Sequence, residues 1–206
     1  MNHACTFHHP SDAWQWACGI IQNQGDLVKT EDGQLTKEVC NQMVTVLEPS
    51  ANWPIPGSGW DLVALDRYAE QLLSSENPGF EYTYGERLRK YPDSIDGGYA
   101  GCDSDQLEYI IDKLKENPVT RRAIAITWIP DTDRLHDHVP CLQSVDFLYR
   151  QDKLHLVAYF RSHDIGRAWV PNVYGLYKLL EYVSGECDMK SGSITTISAS
   201  AHIYEA

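Results

Sequence analysis

The chain has 206 residues, 43% of them apolar and 22% charged, with a formal net charge of −12. That length suits one domain with a sizeable core. The acidic balance argues against broad binding to nucleic acid or an anionic membrane, and no run approaches the roughly 20 apolar residues of a membrane span. An anionic substrate stays open, because a few clustered arginines dominate locally once distant charges are screened. The N-terminal MNHACTFHHPSDAW has neither a basic n-region nor an apolar h-region, which predicts no signal peptide and a cytoplasmic protein. The six cysteines are scattered without a C-x-x-C pair, so no disulfide framework is expected and most read as small buried hydrophobes.

In chain order, residues 11–22 read as a helix with Ser11 or Asp12 as N-cap and Gly25 beyond its end. Asp32-Gly33 marks a turn or short hairpin. Residues 39–47 are rich in β-branched side chains and predict a strand, followed by a Pro- and Gly-dense loop. Helical spacing returns over 60–74 and 105–116, separated by an aromatic, basic stretch (80–91) and a Gly- and Asp-rich loop (92–105). Residues 121–128 predict a strand covered on both faces, and 129–139 a loop. Strands at 143–150 and 154–160 form a hairpin through Gln151-Asp152-Lys153. Pro171 suits the first turn of a helix whose C-cap is Gly185, and a last strand runs from 193 to 204.

The chemistry concentrates between Pro140 and Asn172. A cysteine becomes a useful nucleophile beside a positive charge, and Arg161 on the second hairpin strand supplies a candidate for Cys141. Arg161 also suits a phosphate, with Ser162 adding a hydroxyl. Asn172 carries donor and acceptor in one amide and could read a polar ligand edge; it could equally serve a helix N-terminus. His202 and Tyr204 share one face of the last strand.

These segments resemble the thymidylate synthase family. The matching pieces are Tyr84-Gly85 with Arg89, Arg121-Arg122, Trp128-Ile129-Pro130, Pro140-Cys141, Arg161-Ser162-His163-Asp164, Asn172 and His202-Ile203-Tyr204. Each is weak alone; together, in this order, they cover roughly residues 80–204, and the short chain looks like the archaeal-type branch. The resemblance implies an α+β fold, with one large twisted mixed sheet, helices on one face and sheet-to-sheet dimer packing on the other. It implies methylation of dUMP at carbon 5 after Cys141 adds to carbon 6, with a methylene-tetrahydrofolate or methylene-tetrahydromethanopterin co-substrate. Arg161 and Ser162 would hold the phosphate together with Arg121 and Arg122 of a second subunit. Asn172 would read the base, His202 and Tyr204 the sugar, while Tyr84 would relay the proton from carbon 5 and Asp164 would lie near the pterin.

The chain also departs from the family. Leu142 follows the cysteine where histidine is usual, and Ala168 falls at a usual glycine. Asp61, Asp66 and Glu70 compete for the carboxylate that organises water near the base. The family's closing tail has no counterpart after Tyr204, which keeps a dUMP/dCMP (or UMP/CMP) hydroxymethylase on the same fold as an alternative: water rather than hydride would then quench the methylene intermediate. A catalytically inactive nucleotide-binding regulator is a further alternative. Asp133, His136, Asp137 and His138 could suggest a metal, but a solvated polar loop is the preferred reading, so no metal is expected.

Overall fold

The computed structural model describes residues 3–91 and 104–205; most of the predicted Gly- and Asp-rich loop, with Cys102, lies outside them. The strands are β1 (Ala4–Phe7), β2 (Asp26–Lys29), β3 (Leu35–Val46), β4 (Ile124–Ile126), β5 (Leu142–Arg150), β6 (Lys153–Asp164) and β7 (Ser191–Tyr204). The helices are α1 (Pro10–Gln24), α2 (Leu62–Leu73), α3 (Tyr84–Arg89), α4 (Gln106–Glu116), α5 (Pro130–Asp133) and α6 (Trp169–Glu186). The strands form one mixed seven-stranded sheet in the order β1-β3-β7-β6-β5-β4, with β2 paired to β3 off this path.

The centre of the sheet follows from two connections. Gln151 and Asp152 both take positive φ (51° and 58°), the twist that a tight antiparallel hairpin needs, so β5 and β6 pair directly. β6 and β7 are parallel, which demands a crossover, and α6 provides it. That helix is apolar nearly all round, with Trp169, Val170, Val173, Leu176, Leu179, Leu180 and Val183 buried, so it lies inside the protein rather than on its surface. Alternate strand residues meet this layer: Val39, Val44 and Val46 of β3, Leu154, Leu156, Ala158 and Phe160 of β6, and Ile194 and Thr196 of β7 are buried. On the opposite face Tyr159 and Met43 stay 40% and 39% exposed.

The first turn of α3 is held by close packing. Thr83 and Glu86 form a reciprocal capping box. A Cβ on Gly85 would stand 2.2 Å from the carbonyl oxygens of both Gln71 and Ser74, at the end of α2. Because backbone cannot yield as a side-chain tip can, Gly85→Ala is expected to destabilise the protein by about 3 kcal/mol. A fall in the urea midpoint checks this; an unchanged midpoint would show that the α2–α3 contact is soft.

Several expectations need correction. The N-cap of α1 is His9, not Ser11 or Asp12, and Pro10 takes the first helical position, where its missing N–H is harmless. Gly185 lies within α6 and Cys187 is the C-cap. The strand expected over 121–128 shrinks to Ile124–Ile126, with Ile124 and Ile126 40% and 41% exposed, so one of its faces is open. The aromatic, basic stretch contains α3, the expected 129–139 loop begins with α5, and β1 had no periodicity long enough to read. None of the described cysteines is fully buried: Cys5, Cys18, Cys141 and Cys187 are intermediate and Cys40 is exposed. Gly25 does end α1, donating its N–H to the Ile21 carbonyl at 2.9 Å.

Candidate active site

Cys141 sits just before β5, and Arg161 lies opposite on β6, its amide bonded to the Cys141 carbonyl at 2.9 Å. The ladder therefore sets the two side chains together. The guanidinium donates to the carbonyls of Pro140 (3.0 Å) and Val139 (2.9 Å), which holds Nη2 3.9 Å from the Cys141 sulfur. Both line a cleft of about 390 Å³ with Ser162, His202 and Tyr204. Five of the residues singled out in the sequence thus share one cavity.

The thiol does not ionise readily. Burial pushes the Cys141 pKa above its ordinary value; Arg161 pulls it down and Asp164 pushes it up, and the burial effect prevails. Arg161 does lower the thiol pKa, but by less than burial raises it. With the pKa raised, the free thiol is mainly protonated at pH 7. Alkylation of Cys141 by iodoacetamide, followed on its peptide by mass spectrometry, should still be rising through pH 9. Arg161→Gln should move that profile further to the alkaline side and slow the reaction at pH 7 several-fold. A plateau below pH 8, or no change in the variant, would contradict this balance of burial and charge.

Tyr82 joins this cleft to a second hollow of about 420 Å³, and Tyr68 joins that to a third of about 610 Å³. The third is walled by Trp60, Tyr68 and Phe80, with Arg67, Glu70 and Gln71 beside them. Tyr84, the first residue of α3, is buried and takes the Leu142 amide on its hydroxyl at 3.2 Å, one residue from Cys141. Burial and the neighbouring Tyr68 and Cys141 hold its pKa well above the ordinary phenol value. Tyr82 is likewise pushed up to about 12, mainly by burial.

Asn172 belongs to α6 but caps nothing; the N-cap is Ala168. Its side chain is bonded between Tyr68 and His163. His202 is 7% exposed and packs edge-on against Tyr204, ring centres 5.3 Å apart. Burial lowers the His202 pKa, opposed by Asp164 and Glu38. Asp164 accepts the Arg167 amide at 3.0 Å, closing the turn after β6. Arg121 and Arg122 do not line the Cys141 cleft; they border a hollow of about 330 Å³ with Lys113 and Glu116. Of the three candidate carboxylates, Asp61 caps α2, Asp66 accepts from the Tyr174 hydroxyl at 2.5 Å, and Glu70 lines the aromatic hollow. Asp133 is buried, its carboxylate bonded to Arg87 at 2.7 Å, while its carbonyl accepts the His136 amide at 3.1 Å.

Sequence reasoning missed Tyr68, Tyr82, His163 and Glu38. Glu38 lines the cleft and accepts from the Ser200 hydroxyl at 2.6 Å. Its strand partner is His202, a pairing of positions 164 residues apart that no local pattern announces.

A mixed-sheet α+β protein with a cysteine–arginine pair in a polar cleft, adjoining an aromatic groove, carries a candidate nucleophile beside a candidate anion-binding group. Comparison makes the class specific. Residues 51–206 match the model of the thymidylate synthase family. A Methanosarcina barkeri protein described as "Putative thymidylate synthase" is 44% identical over 196 residues, covering 95% of this chain and 86% of its own length. Proteins of the same description from Methanothermobacter thermautotrophicus and Methanocaldococcus jannaschii are 37% and 36% identical, covering 100% and 89% of this chain and 95% and 82% of their own lengths. The chain belongs to the thymidylate synthase family. That family binds nucleotides, usually acts as a dimer and typically uses a methylene-folate type co-substrate.

Proposed function

We propose that the protein is a cytoplasmic homodimer, one domain over residues 1–206, that methylates carbon 5 of dUMP. The observation that carries this reading is the Cys141 sulfur 3.9 Å from the Arg161 guanidinium, in a cleft shared with Ser162, His202 and Tyr204. Carbon 5 of uracil is a poor nucleophile. Addition of the Cys141 thiolate to carbon 6 makes the ring an enolate, so carbon 5 can attack an electrophilic one-carbon unit. Because the free thiol is protonated, ionisation accompanies substrate binding, with Arg161 as the nearby positive charge. Asn172 reads the base, His202 and Tyr204 meet the sugar, and Asp164 lies toward the co-substrate. Tyr84, whose hydroxyl accepts the Leu142 amide one residue from Cys141, helps relay the proton leaving carbon 5.

A methylene-tetrahydropterin, of folate or methanopterin type, supplies the methylene and the hydride. The hollow walled by Trp60, Tyr68 and Phe80 offers aromatic faces for a flat bicyclic ring, with Glu70 and Gln71 for its polar edge.

Charge favours a shared site. Glu31, Asp32, Glu38 and Asp137 line the cleft alongside Arg161, a poor setting for a nucleotide phosphate of nearly two negative charges. Arg121 and Arg122 of a second subunit, brought in by packing of the open sheet face, would reverse that balance.

The test is incubation with tritiated dUMP and each methylene-tetrahydropterin, with tritium release and product mass measured. Release with a product of thymidylate mass supports the reading. Hydroxymethyluridylate would place the protein with the hydroxymethylases. No release with either donor would leave nucleotide binding without chemistry.

A further inference from the structure

The Asn172 amide is held at both ends. Its Oδ1 lies 2.5 Å from the Tyr68 hydroxyl, and its Nδ2 lies 3.1 Å from His163 Nε2. These spacings assign the polarity. A separation of 2.5 Å suits O–H···O and is too short for an amide N–H on oxygen, whereas 3.1 Å suits N–H···N. Tyr68 therefore donates to Oδ1, and Nδ2 donates to His163. His163 Nε2 must then be unprotonated, so the ring proton is on Nδ1, facing Ser198 Oγ at 2.9 Å.

The surroundings keep the ring neutral and in place. His163 is 1% exposed and stacked on Phe160, ring centres 3.8 Å apart at 13°. Burial holds its pKa down at about 3, with His202 adding to the effect. Tyr68 is fixed from the other side: its ring lies 3.4 Å from where a Cβ on Gly175 would stand, so the glycine lets α2 approach α6.

With one donor and one lone pair committed, the amide keeps one N–H on Nδ2 and one lone pair on Oδ1. The free N–H suits the O4 of uracil and the free lone pair its N3–H. Cytosine presents the reverse, a donor at N4 and an acceptor at N3. It would pair only after the amide turned over, which would set Nδ2 2.5 Å from the Tyr68 oxygen, too close for N–H···O, and would require the ring proton to move from Nδ1 to Nε2 with Ser198 Oγ becoming the donor. We propose that His163 and Tyr68 are positioning residues that lock Asn172 in the uracil-reading orientation, making the site select uracil over cytosine nucleotides. This rests on Asn172 reading the base, as argued above.

The experiment measures dUMP and dCMP dissociation constants by calorimetry for the full-length protein and for Tyr68→Phe and His163→Phe. Both variants keep a ring, and thermal melts check that each is folded. Wild type is expected to prefer dUMP by roughly a hundredfold or more, since the wrong base leaves buried polar groups unpaired. Each variant should lower that ratio by about tenfold, because the amide is freed to turn. A merely structural role would weaken both nucleotides equally and leave the ratio unchanged. An unchanged ratio in folded Tyr68→Phe overturns the proposal even if His163→Phe does not fold. Equal binding of both nucleotides by wild type also overturns it. Binding of neither removes the pyrimidine-nucleotide reading itself.

Discussion

Replacing Cys141 by alanine is expected to cut tritium release from carbon 5 of dUMP by about ten-thousand-fold or more, while dUMP affinity changes by less than about threefold. The loss is large because the reaction has no route to a nucleophilic carbon 5 without a covalent bond at carbon 6. Other thiols offer no substitute: Cys18, for example, is pushed up to about 11 by burial and by Asp164, and its sulfur is directed at the Ile165 carbonyl. Affinity should survive because Arg161 is held by the Pro140 and Val139 carbonyls, independently of the sulfur. Equilibrium dialysis with dUMP and single-turnover tritium release separate the two effects. A rate loss below tenfold would mean that the sulfur does not bond to the substrate.

Mixing two inactive variants provides the second large effect. Arg121→Ala/Arg122→Ala and Cys141→Ala should each be nearly inactive as homodimers. If the arginines serve the neighbouring subunit, a heterodimer places both lesions in one site and leaves the other intact. Random reassortment of equal amounts should then recover about a quarter of wild-type activity. The charge of the cleft is the reason to expect it, because Glu31, Asp32, Glu38 and Asp137 line it with Arg161 while Arg121 and Arg122 border a separate hollow. No recovery after demonstrated subunit exchange would mean that each chain completes its own phosphate site. Gel filtration that shows only monomer at micromolar concentration would exclude sharing altogether.

Local chemistry made part of this protein readable in its sequence. The hairpin turn at Gln151-Asp152, the helical spacing of α2 and α4, and Pro171 in the first turn of α6 depend on neighbours a few residues away, and the structure has each of them. The ordered motifs from Tyr84 to Tyr204 likewise identified the family that comparison shows. Boundaries were less legible: propensity alone does not register that β4 is open on one side or that β1 exists only by pairing with β3.

The site divides the same way. Which atoms could do chemistry was written in residue identity: a thiol, a guanidinium, an amide and a histidine–tyrosine pair. Their protonation and orientation were not, because both depend on burial and on partners distant in the chain. Burial raises the Cys141 pKa against the pull of Arg161. Asn172 is oriented by Tyr68, 104 positions away, and by a histidine that the α6 crossover and the β6–β7 pairing enclose. Residue type is a local property and so belongs to the sequence; desolvation and hydrogen-bond polarity are properties of the packed chain, and only the tertiary structure decided them.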